Sequence, residues 1–292
     1  MVDLSISIIN YKTKDLTTKC LESILNKKWK VDFKIWLIDN NSKDGSVEYF
    51  KKNYPNVNLI ESNKNLGFAG GHNLVLKKTK SRYVLILNSD TEILDQTLDK
   101  MVSFMESHPE VGIASCKVLG FDGKLQPNGG DLPLGAALIS WLFNFEMIFK
   151  SSFHRNDPEY YEVVKEVGWV SGNFMLVKSE VFSKVGYLNE EYFMYFEDSE
   201  FCYKTKLAGY KIMINPKVSI KHLSGGSLDD PHYRQWLGEF RGLLIFYKQF
   251  GPFYTLSLRI WIYIAILARI LTLALMGKLR YAKTYAKVFF YL

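Results

Sequence analysis

Cysteine is scarce in this 292-residue chain. Cys20, Cys116 and Cys202 are far apart and odd in number, which excludes a disulfide framework and a zinc-type cysteine spacing. A reducing compartment is the expectation. The chain opens on an acidic residue and a strand-like run, so no signal peptide is expected. Acidic residues are missing from position 251 onward, where Arg259, Arg269, Lys278, Arg280, Lys283 and Lys287 stand alone. Setting those six aside from the 37 Lys and Arg leaves 31 basic against 30 acidic residues over 1–250. The body therefore lacks the positive field that phosphate-backbone binding requires, and nucleic acid is excluded as a partner. No charge-free apolar run approaches the ~20 residues of a membrane crossing, because Arg259 and Arg269 interrupt the greasy tail. There is no internal repeat and no low-complexity segment. The glycines of "NKNLGFAGGHN" follow neither G-x-G-x-x-G nor G-x-x-x-x-G-K-[ST], which argues against a dinucleotide fold and a P-loop.

What is present is a folded chain, 48% apolar and 23% charged. Strands are expected at 4–9, 33–39, 57–62 and 83–90. Helices are expected at 14–27 (apolar face Leu16, Cys20, Leu21, Ile24, Leu25), 44–54 (capped by Asp44 or Ser46), 70–80 and 94–109. Pro109 stops the last of these. The alternation predicts an α/β fold whose mostly parallel sheet carries helices on both faces. A strand follows at 111–119. Residues 131–165 show no clear period and read as an irregular insert over the crevice. A strand running into a helix is expected at 169–186, a helix at 195–211 closed by Gly209, and a late strand with a glycine-rich loop at 212–227. The division expected is one domain over 1–250 and basic, apolar helices over 251–292. The tail suits helices lying in a membrane interface, with a helical pair packed on the domain or on a second subunit as the alternative.

Three of the apolar runs end on polar groups: Asn10 and Tyr11, Asp39 and Asn40, and the "NSD" of Asn88, Ser89 and Asp90. In sheets of this kind ligands bind at the carboxyl ends of strands. Asn88 and Asp90 project from one side of an extended segment and suit a hard divalent ion held mainly by substrate phosphates. A strand end passing into a turn explains the same residues. In "EYFMYFEDSEF", Glu197, Asp198 and Glu200 fit a capped helix N-terminus, or a general base at the edge of an aromatic cleft. His222 fits a metal or diphosphate contact, or an ordinary surface histidine.

The segments "SISIINY", "DNNSKDGS", "NKNLGFAGGHN", "LNSD", "GWVSGNFMLVK", "YFMYFEDSEFCYK" and "KHLSGGS" together resemble the family 2 inverting glycosyltransferases of the GT-A fold, especially a rhamnosyltransferase-like branch. They occur in the family's order across 4–227. The resemblance implies that Asn10, Tyr11 and Asp39 hold the nucleoside, Asp39 accepting from a pyrimidine imide N–H. It places Asn65, Gly67 and Asn73 beside base and ribose. Asp90 would ligate Mg²⁺ or Mn²⁺ with help from Asn88, and His222 would contact the metal or diphosphate. Asp198 matches the catalytic base. Trp169, Ser171, Gly172 and Glu197 match the sugar and acceptor side. The implied reaction is a single displacement with inversion, from a dTDP-rhamnose-like or UDP-sugar donor to a glycan or lipid-linked acceptor. The implied setting is the inner face of the cell membrane, in cell-surface polysaccharide assembly. Two rivals are a sugar-nucleotide pyrophosphorylase, whose basic glycine-rich signature "NYKTKDL" does not supply, and a non-catalytic sugar-nucleotide or glycan-binding protein at the membrane.

Overall fold

The structure, a computed structural model, describes residues 2–145, 153–155, 157–223 and 231–292. Its first half alternates as the patterning requires: β1 (Leu4–Asn10), α1 (Lys14–Leu25), β2 (Phe33–Asp39), α2 (Ser46–Asn53), β3 (Asn58–Glu61), α3 (Gly67–Leu76) and β4 (Tyr83–Leu87). There follow β5 (Thr91–Ile93), α4 (Thr97–Ser107), β6 (Val111–Leu119), β7 (Gly129–Gly130) and α5 (Gly135–Leu142). Next come β8 (Lys165–Glu166), β9 (Trp169–Val170), β10 (Phe174–Lys178), α6 (Ser179–Val185), α7 (Glu197–Leu207) and β11 (Lys211–His222). Three helices close the chain: α8 (Pro231–Tyr247), α9 (Pro252–Leu275) and α10 (Leu279–Tyr291).

Among the described residues nine strands form one sheet, in the order β3-β2-β1-β4-β10-β6-β11-β5 with β8 beside β11. Six of them run one way, while β10, β5 and β8 oppose their neighbours. β4 is central and wholly buried. Its Val84 and Ile86 enter the core beneath α3, α7 and α8, and Leu85 and Leu87 enter the core beneath α1 and α4. The two-residue period of a strand makes this split, and helices on both faces complete it.

Three details depart from the patterning. On α1 the buried face is Thr17, Cys20, Leu21, Ser23 and Ile24, whereas Leu25 is exposed. Thr17 is polar because its hydroxyl has a partner waiting, as shown below. β4 ends at Leu87 instead of Asp90; residues 88–90 turn, and β5 pairs antiparallel with the end of β11, Thr91 opposite His222. Within 131–165 lies α5, "GAALISWL", which is apolar on nearly every side and so shows no period. The turn expected at Gly225 and Gly226 lies outside the described residues.

The tail helices share the core of the body. Leu258, Ile262, Ala265 and Ile266 of α9, with Tyr285 and Val288 of α10, are buried in the cluster that holds Trp141 of α5 and Phe240 of α8. At 24 residues, α9 is long and apolar enough, by length and composition, to cross a membrane. Its outer face exposes Leu256, Ile260, Leu267, Leu271 and Leu275. Arg269 is turned inward instead. Its Nε donates to Leu142 O at 3.0 Å, and its other nitrogens donate to Trp141 O and to the Tyr285 hydroxyl. The guanidinium thus caps the last carbonyls of α5, where the helix dipole favours a cation, and stacks among the Trp141, Phe240 and Tyr285 rings. Arg269→Met keeps the volume but strands those acceptors, at about 1–3 kcal/mol for a buried group. The expected result is a lower urea midpoint with an unchanged slope; an unaltered midpoint would refute this role for Arg269.

Candidate active site

The carboxyl ends of the strands open into a cavity of about 1270 Å³. Of the residues singled out from the sequence, Tyr11, Asn65, Gly67, Asn88, Asp90, Trp169, Ser171, Gly172, Glu197, Asp198 and His222 line it. Asn10, Asp39 and Asn73 stand behind its wall.

Asn10 and Asp39 are opposite one another in the β1–β2 register. Asn10 Nδ2 donates to Asp39 Oδ2 at 2.8 Å and to Ser42 Oγ at 3.0 Å. Its Oδ1 accepts from Thr17 Oγ1 at 2.9 Å, which explains a threonine on the buried face of α1. Asp39 Oδ1 accepts from Ser42 N at 3.0 Å. Asn10 is thereby used up in fixing Asp39 and its loop. Asn40, the next residue, bridges to the wall: its Nδ2 donates to Asn65 Oδ1 at 2.9 Å and Gly67 O at 3.0 Å. Asn65 Oδ1 also accepts from Gly67 N at 2.9 Å, which starts α3 three residues earlier than the pattern suggested. Asn73 points the other way, its amide donating to Leu188 O and Glu190 Oε1, both at 2.8 Å.

The turn at 88–90 meets the end of β11. Asp90 Oδ1 is 3.1 Å from His222 Nε2, and Asn88 Nδ2 is 3.2 Å from the same nitrogen. Gln126 holds the far side of the ring: its Oε1 pairs with His222 Nδ1 at 2.9 Å, and its Nε2 donates to His222 O at 2.9 Å. Gln126 thereby fixes the ring so that Nε2 faces Asp90 and the cavity, the nitrogen positioned to meet a metal. Among the described residues no third His, Cys, Asp or Glu joins the pair. One carboxylate, one imidazole and an amide fit Mg²⁺ or Mn²⁺ that takes its remaining oxygens from water and a diphosphate, and do not fit a closed structural site.

The acidic pair sits at the start of α7, brought there by an unusual turn. Tyr195 and Phe196 both adopt φ 74°, the left-handed region that costs a large side chain of order 1–3 kcal/mol. Packing holds them. Phe193 O accepts from Phe68 N at 2.8 Å at the head of α3. A Cβ on Gly67, itself at φ 69°, would lie 2.1 Å from that oxygen, so this approach needs glycine. Asp198 Oδ1 accepts from Ser199 N at 2.7 Å, and its Oδ2 from Gly172 N at 3.2 Å. Burial pushes the Asp198 carboxyl above its ordinary value, only partly offset by those two N–H groups. Glu197 is more deeply buried, its Oε2 has no partner among the described residues, and burial followed by the Asp198 charge pushes it well above the usual carboxylate range. Trp169 packs its ring 5.1 Å from Phe153 and donates Nε1–H to Phe153 O at 3.0 Å, fixing the insert against the cavity.

Not singled out from the sequence are Gln126, His154 and one side of α8, including Leu237, Gly238, Gly242 and Ile245, which also line the cavity. Gln126 carries no local signal. α8 does: Trp236, Phe240, Leu243 and Leu244 recur at helical spacing.

Among known proteins, the chain is 28% identical over 210 residues to the low-salt glycan biosynthesis hexosyltransferase Agl10 of Haloferax volcanii, covering 70% of this chain and 62% of that one. It is 25% identical over 203 residues to the N-acetylglucosaminyl-diphospho-decaprenol L-rhamnosyltransferase of Mycobacterium tuberculosis, covering 64% and 66%. The matches thus span a little under two thirds of these relatives. A solved structure of the Pyrobaculum calidifontis mannosyltransferase PcManGT in complex with GDP-Man and Mn²⁺ superposes with a TM-score of 0.58 at 16% identity, covering 98% of this chain and 76% of that one. The likeness places the sheet and its helices in the GT-A fold. Residues 5–183 match the family model described as glycosyl transferase family 2, and the chain belongs to that family.

Proposed function

We propose that this chain is a metal-dependent, inverting hexosyltransferase that moves a sugar from a nucleoside-diphosphate donor to a hydroxyl of a glycan or lipid-linked saccharide, in assembly of a cell-surface polysaccharide. The observation that carries the reading is the convergence of the Asp90–His222 pair and of Asp198 on one cavity. The donor is taken as dTDP-rhamnose-like or a UDP-sugar. Asp39, held by Asn10, shapes the nucleoside end, and Tyr11 and Asn65 line it. Asp90 and His222, with Asn88, would hold the divalent cation. That ion would neutralise the charge growing on the diphosphate as the anomeric bond breaks. Asp198 takes the proton of the acceptor hydroxyl, whose oxygen attacks the face opposite the leaving group. No second carboxylate is required as nucleophile, and one displacement inverts the centre. The Gly172 N–H, on the link between β9 and β10, holds Asp198 Oδ2 at the cavity wall.

Three outcomes test the reading. In a thermal-shift panel of nucleotides with Mn²⁺ or Mg²⁺, dTDP or UDP raises the melting temperature of the parent by mass action, and Asp90→Ala loses the metal-dependent part. A panel in which no pyrimidine diphosphate shifts the parent favours a non-catalytic glycan-binding protein. Asp198→Asn keeps the donor shift and loses turnover by about 10²–10⁴-fold, the usual worth of a positioned base. Because the Asp198 carboxyl is raised and must be ionised to act, turnover falls as pH drops, with an acid limb above the ordinary aspartate value of 3.8. Parent-rate transfer by the variant would reassign the base.

The exposed apolar stripe of α9, with the surrounding basic residues, docks on the inner face of the membrane in this proposal. Deleting the tail would breach the core, so the informative change is Leu256, Ile260, Leu267 and Leu271 to Ser together. Loss of the protein from the membrane fraction is the expected result, and unchanged sedimentation with membranes would count against docking.

A further inference from the structure

The His222 ring is gripped on both of its nitrogen edges, and the segment that supplies the second grip is itself tied down. Gln126 touches His222 twice: Oε1 lies 2.9 Å from Nδ1, and Nε2 donates to the His222 carbonyl at 2.9 Å. The amide nitrogen is committed to that carbonyl, so the oxygen is the end that meets the ring. Gln126 N donates to Val118 O at 2.9 Å, across a turn closed by Gly120 N donating to Lys124 O at 2.7 Å. A Cβ on Gly120 would lie 3.2 Å from Gln126 Nε2 and 2.6 Å from Asp122 Oδ1, so glycine leaves the room that the amide takes. Pro127 follows and keeps Gln126 out of helical backbone. One residue further, Asn128 Nδ2 donates to Ser115 Oγ at 3.0 Å and to Cys116 O at 2.9 Å, and Asn128 N donates to the Tyr161 hydroxyl at 3.1 Å.

The end of β11 has its place without Gln126. Lys221 pairs with Leu119 of β6, His222 pairs with Thr91 of β5, and Leu223 N donates to Asp90 O at 3.0 Å. What Gln126 adds is control of the ring. The contacts from Asp90 Oδ1 at 3.1 Å and Asn88 Nδ2 at 3.2 Å both fall on Nε2, the edge that would meet an ion. With Asp90 drawn onto that ion, the Gln126 oxygen on Nδ1 still keeps the imidazole from turning about its Cβ–Cγ bond. A partner of this kind orients a metal-binding histidine, and losing it costs about 10–100-fold in metal affinity. Resting on the metal-dependent glycosyltransferase reading, we propose that Gln126 is a positioning residue for divalent-ion binding, acting on His222 through the ring and not through the backbone.

The test is a Mn²⁺ titration of the full chain with UDP or dTDP present. The quantity read is the Mn²⁺ concentration that gives half of the nucleotide-induced rise in melting temperature, each variant being compared with its own metal-free baseline. Gln126→Leu is expected to raise that concentration about 10–100-fold. Gln126→Glu keeps an oxygen for Nδ1 but has no N–H for the His222 carbonyl, and it is expected to need no more Mn²⁺ than the parent. A Gln126→Leu chain that responds to Mn²⁺ as the parent does would overturn the role. So would a Gln126→Glu chain that loses as much as Gln126→Leu, because the backbone contact would then account for the effect. The parent separates this inference from the reading beneath it. A Mn²⁺-dependent shift in the parent, unchanged in Gln126→Leu, removes the inference and keeps the glycosyltransferase reading. A parent whose shift ignores both Mn²⁺ and Mg²⁺ removes the metal, and the role of Gln126 with it.

Discussion

The Asp198 side of the cavity depends on a turn that two large aromatic residues would not adopt by themselves. Tyr195 and Phe196 are held left-handed because everything around them is already committed. α3 presents a glycine and an N–H to Phe193, α8 presents glycines to both rings, and Phe196 lies 5.6 Å from Phe153 and 6.0 Å from Trp141. The chain leaves that turn directly into α7, so Glu197 and Asp198 sit where unpaired helix N–H groups favour negative charge. Burial acts against ionisation at the same place, and for both side chains burial is the larger effect. A carboxylate kept short of full stabilisation takes protons more readily than one resting in salt bridges.

The strand ends divide residues that meet the cavity from residues that aim them. Tyr11 and Asn65 reach the opening, whereas Asn10 spends its amide on Asp39 and Ser42, and Asn73 ties α3 to the segment before the aromatic turn. Gln126 does for His222 what Asn10 does for Asp39: it fixes which atom of the partner faces outward. A buried aiming residue and an exposed contact residue have the same side-chain chemistry, so composition and spacing do not tell them apart.

Much of this was legible in advance. Apolar runs of the right length, ending on Asn10, Asp39 and Asn88, marked the first strands and the side of the sheet on which ligands sit. The Asp90–His222 pairing was not legible by pattern, because it rests on β5, three residues long and too short to show a period. Nor was α5, whose apolar residues surround the helix and whose polar partner Arg269 comes from 127 residues away. Arg269 itself reads in the sequence as an obstacle to burial. Its partners are backbone carbonyls, which every sequence has and none displays.

That arginine also makes the tail part of the body's geometry. Through Trp141 O and Leu142 O, α9 is clamped to α5 in the insert, which in turn holds Phe153 and Trp169 at the cavity. A surface resting against the outer side of α9 would therefore stand at a set height below Asp198, with no flexible tether between them. The separation between that surface and Asp198 is then set by the packing of helices and not by the length of a linker.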